Sequence, residues 1–177
     1  MRTELQRLQR QTGITMVFVT HDQSEALALA DRIVLMNDGR IAQTGSPEAL
    51  YNEPQSVFAA DFVGFENIFS IDNASPNTGS VAHRQSGAFK LGFHADATHA
   101  AWRPGGVVVG QGEQGGVVAG VAFAGDRREY VIDTDAGVIK ADVDAAEPAV
   151  QPGEAVKFDL PESSARLIRD PAGANPR

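Results

Sequence analysis

Apolar positions change their spacing partway along the chain, and that change organises everything else. Leu5 and Leu8 stand one turn apart among Gln, Arg and Glu in residues 3–12, and Gly13 follows. This spacing predicts a helix stopped by a glycine that can take left-handed backbone. Residues 14–20, Ile-Thr-Met-Val-Phe-Val-Thr, are almost all apolar or β-branched, which predicts a strand buried on both faces, as in a parallel sheet. Asp22, with Glu25 three positions on and Ala26, Leu27 and Ala30 behind it, has the form of a capping box opening a helix. Helix, buried strand and helix in succession predict α/β architecture. Ile33 to Met36 form another strand run, and Asn37-Asp38-Gly39 supplies positive-φ residues for a tight hairpin into Arg40-Ile41-Ala42. Ser46-Pro47-Glu48 predicts a short helix ending before Pro54. Ser56 caps another, with Phe58 and Phe62 on one face and Gly64 as its stop.

Beyond Phe65 the helical period is absent. Residues 65–71, 89–93, 98–102, 107–109, 117–123, 129–133, 138–143 and 155–160 read as strands, most of them separated by Gly, Pro, Asn or Asp. Many short strands with polar turns predict a small barrel or sandwich. Asp135-Ala136-Gly137 reads as a hairpin turn, residues 73–80 as a polar loop, and the stretch from Asp170 as a frayed tail. The expected division is therefore an α/β part over residues 1–64 and an all-β part over 65–177.

Composition narrows the function classes. The chain of 177 residues has no cysteine, which excludes disulfides, cysteine zinc sites, iron–sulfur clusters and a thiol nucleophile. The net charge of −8 is split evenly: residues 1–70 carry 5 basic and 9 acidic side chains, and residues 71–177 carry 10 and 14. An acidic balance without a basic patch argues against a nucleic-acid partner. No apolar run approaches the ~20 residues of a membrane helix, and nothing at the N-terminus has the form of a signal peptide.

Candidate chemistry centres on Thr20-His21-Asp22. A histidine at the C-terminal end of a parallel strand, just ahead of a helix, lies where open α/β sheets bind ligands, and its imidazole can donate a hydrogen bond to a phosphate oxygen. A lone polar residue in a strand-to-helix loop is the plainer alternative. Gly110-Gln111-Gly112-Glu113-Gln114-Gly115 has dinucleotide-loop spacing but leads into strand-like Gly116-Val117-Val118, so it reads as a glycine-rich loop between strands. Asp133, Asp135, Gly137 and Asp144 only faintly echo a calcium loop and read as turn-forming acids. His94 and His99 are an odd number apart, so one strand would present them on opposite faces; with His83 they read as loop histidines, and no metal site is expected.

The run Val17-Phe18-Val19-Thr20-His21-Asp22-Gln23-Ser24-Glu25-Ala26, continuing through Asp38-Gly39-Arg40-Ile41, Gly45-Ser46-Pro47-Glu48 and Phe58-Ala59-Ala60-Asp61-Phe62-Val63-Gly64, closely resembles the ATPase subunits of ABC importers, from the switch-histidine loop onward. Within that family it is similar to the subgroup importing sugars, polyamines, iron or oxyanions. The resemblance implies that His21 contacts the γ-phosphate of ATP and helps position the attacking water. It also implies ATP and magnesium as cofactors of the parent subunit, permease subunits as partners, and a cytoplasmic location at the inner face of the membrane. The phosphate loop, signature sequence, glutamine loop and acidic magnesium-binding strand of that family are not in this sequence. The chain is therefore expected to be the C-terminal part of such a subunit and inactive as an ATPase alone. Trp102-Arg103-Pro104, residues 118–125, Glu129-Tyr130-Val131 and Gln151-Pro152-Gly153-Glu154 resemble the TOBE domain, an OB-like β barrel that implies pairing of subunits or binding of a regulator or small anion. Phe65-Glu66-Asn67-Ile68-Phe69 resembles the molybdate/tungstate branch. The net charge of −4 over residues 71–177 would oppose an anion unless Arg103, Arg127 or Arg128 converge. A homodimer is the expected role of this part, and a stand-alone anion-binding module is its alternative.

Overall fold

The structure, a computed structural model, describes residues 2–72, 81–84, 87–91 and 96–170. Two units divide at the Val63–Gly64 bond, Met1–Val63 and Gly64–Arg177.

In the first unit, helix α1 (Arg2–Thr12) ends at Gly13, whose φ is 65° and whose N–H donates to the Gln9 carbonyl at 2.8 Å. The buried strand expected at residues 14–20 does not form. This stretch has no strand assignment, and Val17 and Val19 are 92% and 91% exposed. An apolar run becomes a strand only beside a ladder partner, and no described segment offers it one. Helix α2 (Gln23–Leu29) follows.

Strands β1 (Ile33–Asn37) and β2 (Arg40–Gly45) make the expected hairpin, with Asp38 and Gly39 both at positive φ, 47° and 74°. Two central residues of positive φ match the twist of paired strands. Ile33 and Leu35 are buried, whereas Val34, Met36 and Ile41 are exposed on the other face. Helices α3 (Pro47–Asn52) and α4 (Val57–Phe62) start at Ser46 and Ser56, whose hydroxyls accept from the Ala49 and Ala59 amides at 3.2 and 3.1 Å. The buried positions of α4 are Val57, Ala59 and Ala60 rather than the expected Phe58 and Phe62, which are half-buried.

The described strands of the second unit form two antiparallel sheets. One sheet has the order β10-β7-β8-β9, from Ala155–Asp159, Val108–Phe123, Arg127–Thr134 and Gly137–Asp144. The other has the order β11-β6-β3-β4-β5, from Arg166–Ile168, His99–Trp102, Asn67–Asp72, Val81–Arg84 and Gly87–Lys90. Alternation along β8 and β9 buries Tyr130, Ile132, Ile139 and Ala141. They share a core with Phe69, Phe89, Trp102 and Phe158. Phe69–Phe89, Phe69–Trp102 and Phe89–Phe158 are edge-to-face pairs with centroids 5.6, 6.1 and 5.6 Å apart, the geometry that opposes positive ring edges to negative faces. The buried Trp102 indole donates to the Pro161 carbonyl at 2.9 Å, and the Tyr130 hydroxyl accepts from the Val150 amide at 3.2 Å.

The glycine-rich stretch is a register break inside one strand and not a separate loop. β7 runs through it, but its pairing with β10 jumps from Lys157↔Gly115 to Phe158↔Val109, so residues 110–114 have no partner on β10. Gly110 and Gly112 lie at φ 92° and 110°, which is where the strand turns out of register and back. No helix begins there, so the backbone does not present the amide cradle of a dinucleotide loop. The polar loop expected at 73–80, the tail beyond Asp170, Phe93 and His94 lie outside the described residues.

Candidate functional site around His21

Thr20 and Glu25 organise the bend that carries His21. The Thr20 hydroxyl donates to Glu25 Oε2 at 2.8 Å and accepts from the Asp22 amide at 2.9 Å. Asp22 Oδ1 accepts from the Glu25 amide at 3.0 Å and from the Ser24 hydroxyl at 2.5 Å. The predicted cap therefore forms with one change. Glu25 turns its carboxylate to Thr20 instead of to the amide of the cap residue, and Thr20 relays that interaction to the Asp22 N–H. His21 sits between these two fixed neighbours with its side chain exposed. An exposed imidazole on this hydrogen-bonded bend can donate to an anionic oxygen brought to it. Replacing Asp22 with alanine is expected to raise exchange of the Glu25 amide, since lost caps destabilise a helix by about 1 kcal/mol. Unchanged exchange at Glu25 would show that the cap contributes nothing to a helix of 7 residues.

The three arginines considered for an anion each have a partner of their own. The Arg103 guanidinium lies 3.9 Å from the centroid of the Phe65 ring. Arg127 and Arg128 are adjacent on β8 and so point to opposite sides of the sheet. Arg127 meets Glu129 at 3.0 Å and Asp142 at 3.3 Å, while Arg128 Nη1 donates to the Glu147 carbonyl at 2.7 Å. Burial raises the pKa of Asp142, Arg127 lowers it, and Glu129 and Glu66 raise it further. Arg127 reaches Asp142 diagonally across the strand pair, and the residue directly opposite Asp142 is Glu129, a like charge that the guanidinium between them offsets.

The Phe65-Glu66-Asn67 run, read from sequence as a pointer to oxyanions, is occupied with holding the second unit together. Phe65 is buried beneath Arg103, and Glu66 pairs with Lys140 Nζ. Asn67 is fully buried, and its side-chain amide matches the Lys140 backbone: Oδ1 accepts from the Lys140 N–H and Nδ2 donates to the Lys140 carbonyl, both at 2.8 Å. Sequence reasoning missed this because the partners lie 73 positions apart and no periodicity links them.

Of the histidines, His83 lies on β4 and His99 on β6. His99 Nδ1 is 3.1 Å from the Thr98 hydroxyl. That hydroxyl donates to the Ile168 carbonyl at 3.0 Å and accepts from the Asp170 amide at 2.8 Å. Burial lowers the pKa of His99, and the nearby Asp170 carboxylate works against that. Among the described residues no group of three His, Cys, Asp or Glu is placed to hold a metal ion, and no helix is long and apolar enough to cross a membrane.

The chain matches no protein-family model. It is 37% identical over 177 residues to the Fe(3+) ions import ATP-binding protein FbpC 1 of Rhizobium meliloti (strain 1021), covering 94% of this chain and 49% of that protein. It is 38% identical over 169 residues to the FbpC protein of Brucella abortus (strain 2308), covering 90% and 46%. The spermidine/putrescine import ATP-binding protein PotA of Borrelia garinii subsp. bavariensis is 39% identical over 137 residues, covering 75% and 40%. The chain is thus homologous to import ATP-binding proteins and spans about half the length of the curated relatives it matches.

Proposed function

We propose that this chain is the C-terminal part of the ATP-binding subunit of an ABC-type importer. Residues 1–64 are the end of its nucleotide-binding domain and residues 65–177 an OB-like TOBE domain. The observation that carries this reading is homology across 94% of the chain to an iron(III) import ATP-binding protein. The bend at Thr20-His21-Asp22 supports it, because a switch histidine must be solvent-accessible yet fixed in direction, and here Thr20, Asp22 and Glu25 fix the backbone on both sides of an exposed His21.

In this reading the His21 imidazole donates a hydrogen bond to a γ-phosphate oxygen, where charge shifts during transfer. The β- and γ-phosphates and magnesium need a phosphate-loop lysine, backbone amides and a carboxylate, and those groups belong to the other half of the subunit. Permease subunits at the inner membrane face are the partners in that complex, and the TOBE part pairs with a second copy. Arg127 and Arg128, which a small-anion module would need, are held by Glu129, Asp142 and Glu147, so pairing is preferred over anion binding.

Two measurements test the proposal. The chain alone with ATP and magnesium is expected to release no phosphate above a buffer blank. Exchanged for the matching half of a homologous iron(III) import ATP-binding protein, it is expected to support turnover that falls by ~100-fold or more in His21→Ala. Turnover by the chain alone that disappears in His21→Ala, or a chimera indifferent to that substitution, would refute the assignment.

A further inference from the structure

Asp38-Gly39 is the one place in the chain where aspartate or asparagine precedes glycine. The backbone nitrogen that follows an aspartate is placed to close a small ring on the side-chain carboxyl carbon. A side chain on the next residue hinders that approach, and glycine has none. In this chain the dipeptide forms the turn between β1 and β2, at φ 47° and 74°.

Three features of the turn leave ring closure open. Residues 37–40 are exposed. Among the described residues the Asp38 carboxylate and the Gly39 N–H have no hydrogen-bond or ion-pair partner. A Cβ built on Gly39 meets nothing within 4 Å, so the peptide between the two residues has room to rotate. Asp135-Ala136 is the contrast. It too lies in a hairpin turn, between β8 and β9, but the Ala136 N–H donates to Thr134 Oγ1 at 3.2 Å and Ala136 is buried.

We propose that Asp38 is a site of spontaneous modification, where the aspartyl linkage isomerises to isoaspartyl and opens the β1–β2 turn. The Gly39 nitrogen attacks Cγ of the neutral Asp38 carboxyl group. The N–Cγ bond forms, the Cγ–O bond breaks, and the nitrogen's proton leaves with the hydroxyl as water. Water then adds back to the cyclic imide. Breaking the N–Cγ bond restores aspartate. Breaking the bond from nitrogen to the main-chain carbonyl leaves the backbone running through Cβ and Cγ, with the former main-chain carbonyl as a free carboxylate. That extra methylene does not fit a turn set by two positive-φ residues, so the Asn37↔Arg40 and Met36↔Ile41 pairs beside it are lost first. The exposed new carboxylate is the substrate chemistry of a protein-isoaspartate carboxyl methyltransferase. The inference rests on the turn alone and not on the import role of the parent subunit.

The full chain, held below its melting temperature in water enriched in heavy oxygen, tests this after tryptic digestion and mass spectrometry. Peptide 33–40 carries Asp38-Gly39, and peptide 129–140 carries Asp133 and Asp135. Heavy oxygen is expected to enter the first at ~10-fold or more the rate of the second, and only the first is expected to accept a methyl group from S-adenosylmethionine and such a methyltransferase. Asp38→Asn tolerates the same left-handed backbone and expels ammonia instead of water, so it is expected to convert ~10-fold or more faster. Asp38→Glu would have to close a larger ring and is expected to take up no heavy oxygen at this position. The isomerised chain, separated from the fresh one by chromatography, is expected to exchange the β1 and β2 amides next to the turn faster. No heavy oxygen in peptide 33–40, equal uptake by the two peptides, Asp38→Asn no faster than the parent chain, or unchanged exchange beside the turn would overturn the proposal.

Discussion

Replacing Gly112 with alanine is expected to destabilise the β unit by roughly 2–4 kcal/mol, combining backbone strain with overpacking. Two separate physical terms contribute. Gly112 lies at φ 110°, where a Cβ is disfavoured whatever its surroundings. Its position in the β7 register break also brings β10 close. A Cβ there would overlap the Phe158 carbonyl oxygen and stand 2.7 Å from the carbonyl carbon and 2.8 Å from Asp159 Cβ. Backbone cannot swing away as a side-chain end can, and Phe158 is itself fixed edge-to-face against Phe89 in the core. Gly110 provides the control. It has nearly the same φ, 92°, with nothing within 4 Å of a built Cβ. Gly110→Ala should therefore show only the conformational term, about 1–2 kcal/mol. Urea denaturation of both variants measures the difference, and equal losses would mean that the approach of β10 contributes nothing.

A contrast of ~1000-fold or more in hydrogen-exchange protection is the second expectation, with residues 14–20 poorly protected and residues 117–143 strongly protected in the same monomeric sample. The amides of residues 14–20 have no ladder, and the side chains that would cover them from solvent are themselves exposed. In residues 117–143 the strands pair on both sides of β8, and Val118, Tyr130, Ile132 and Ile139 are buried in an aromatic-rich core. The apolar run at 14–20 is also the segment most prone to pair with another chain, since unpaired backbone beside β-branched side chains is a template for association. Comparable protection in the two regions would contradict this account of where the stability resides.

Local chemistry in this chain is easy to read, and distant chemistry is not. The caps at Asp22, Ser46 and Ser56, the glycine stop at Gly13 and the Asp38-Gly39 turn are visible in sequence because each is settled within four or five residues by hydrogen-bonding geometry. Strand alternation in β8 and β9 is legible for the same reason. Residues 14–20 mislead because hydrophobicity announces what a segment needs, whereas forming a strand depends on neighbours elsewhere. The glycine run misleads in another way: two positive-φ residues can bend a strand out of register without ending it, so a loop signal and a bulge signal look alike. At the candidate site, His21 and its capped helix are legible and the Thr20–Glu25 relay is an unannounced refinement. The roles of Glu66 and Asn67 follow from Lys140, which no local rule could have paired with them.

The placement of Trp102 has an optical consequence. It is the only tryptophan in the chain, and it lies in the β unit, fully buried, with its indole N–H bonded to Pro161 and its ring edge-on to Phe69. Selective excitation of indole emission therefore sees one unit and is blind to the other. A melt followed by that emission records the collapse of the β core alone, whereas far-ultraviolet circular dichroism also registers α1 to α4. For this chain, non-coincident curves from the two signals would be the signature of two separately melting units rather than of an intermediate within either one.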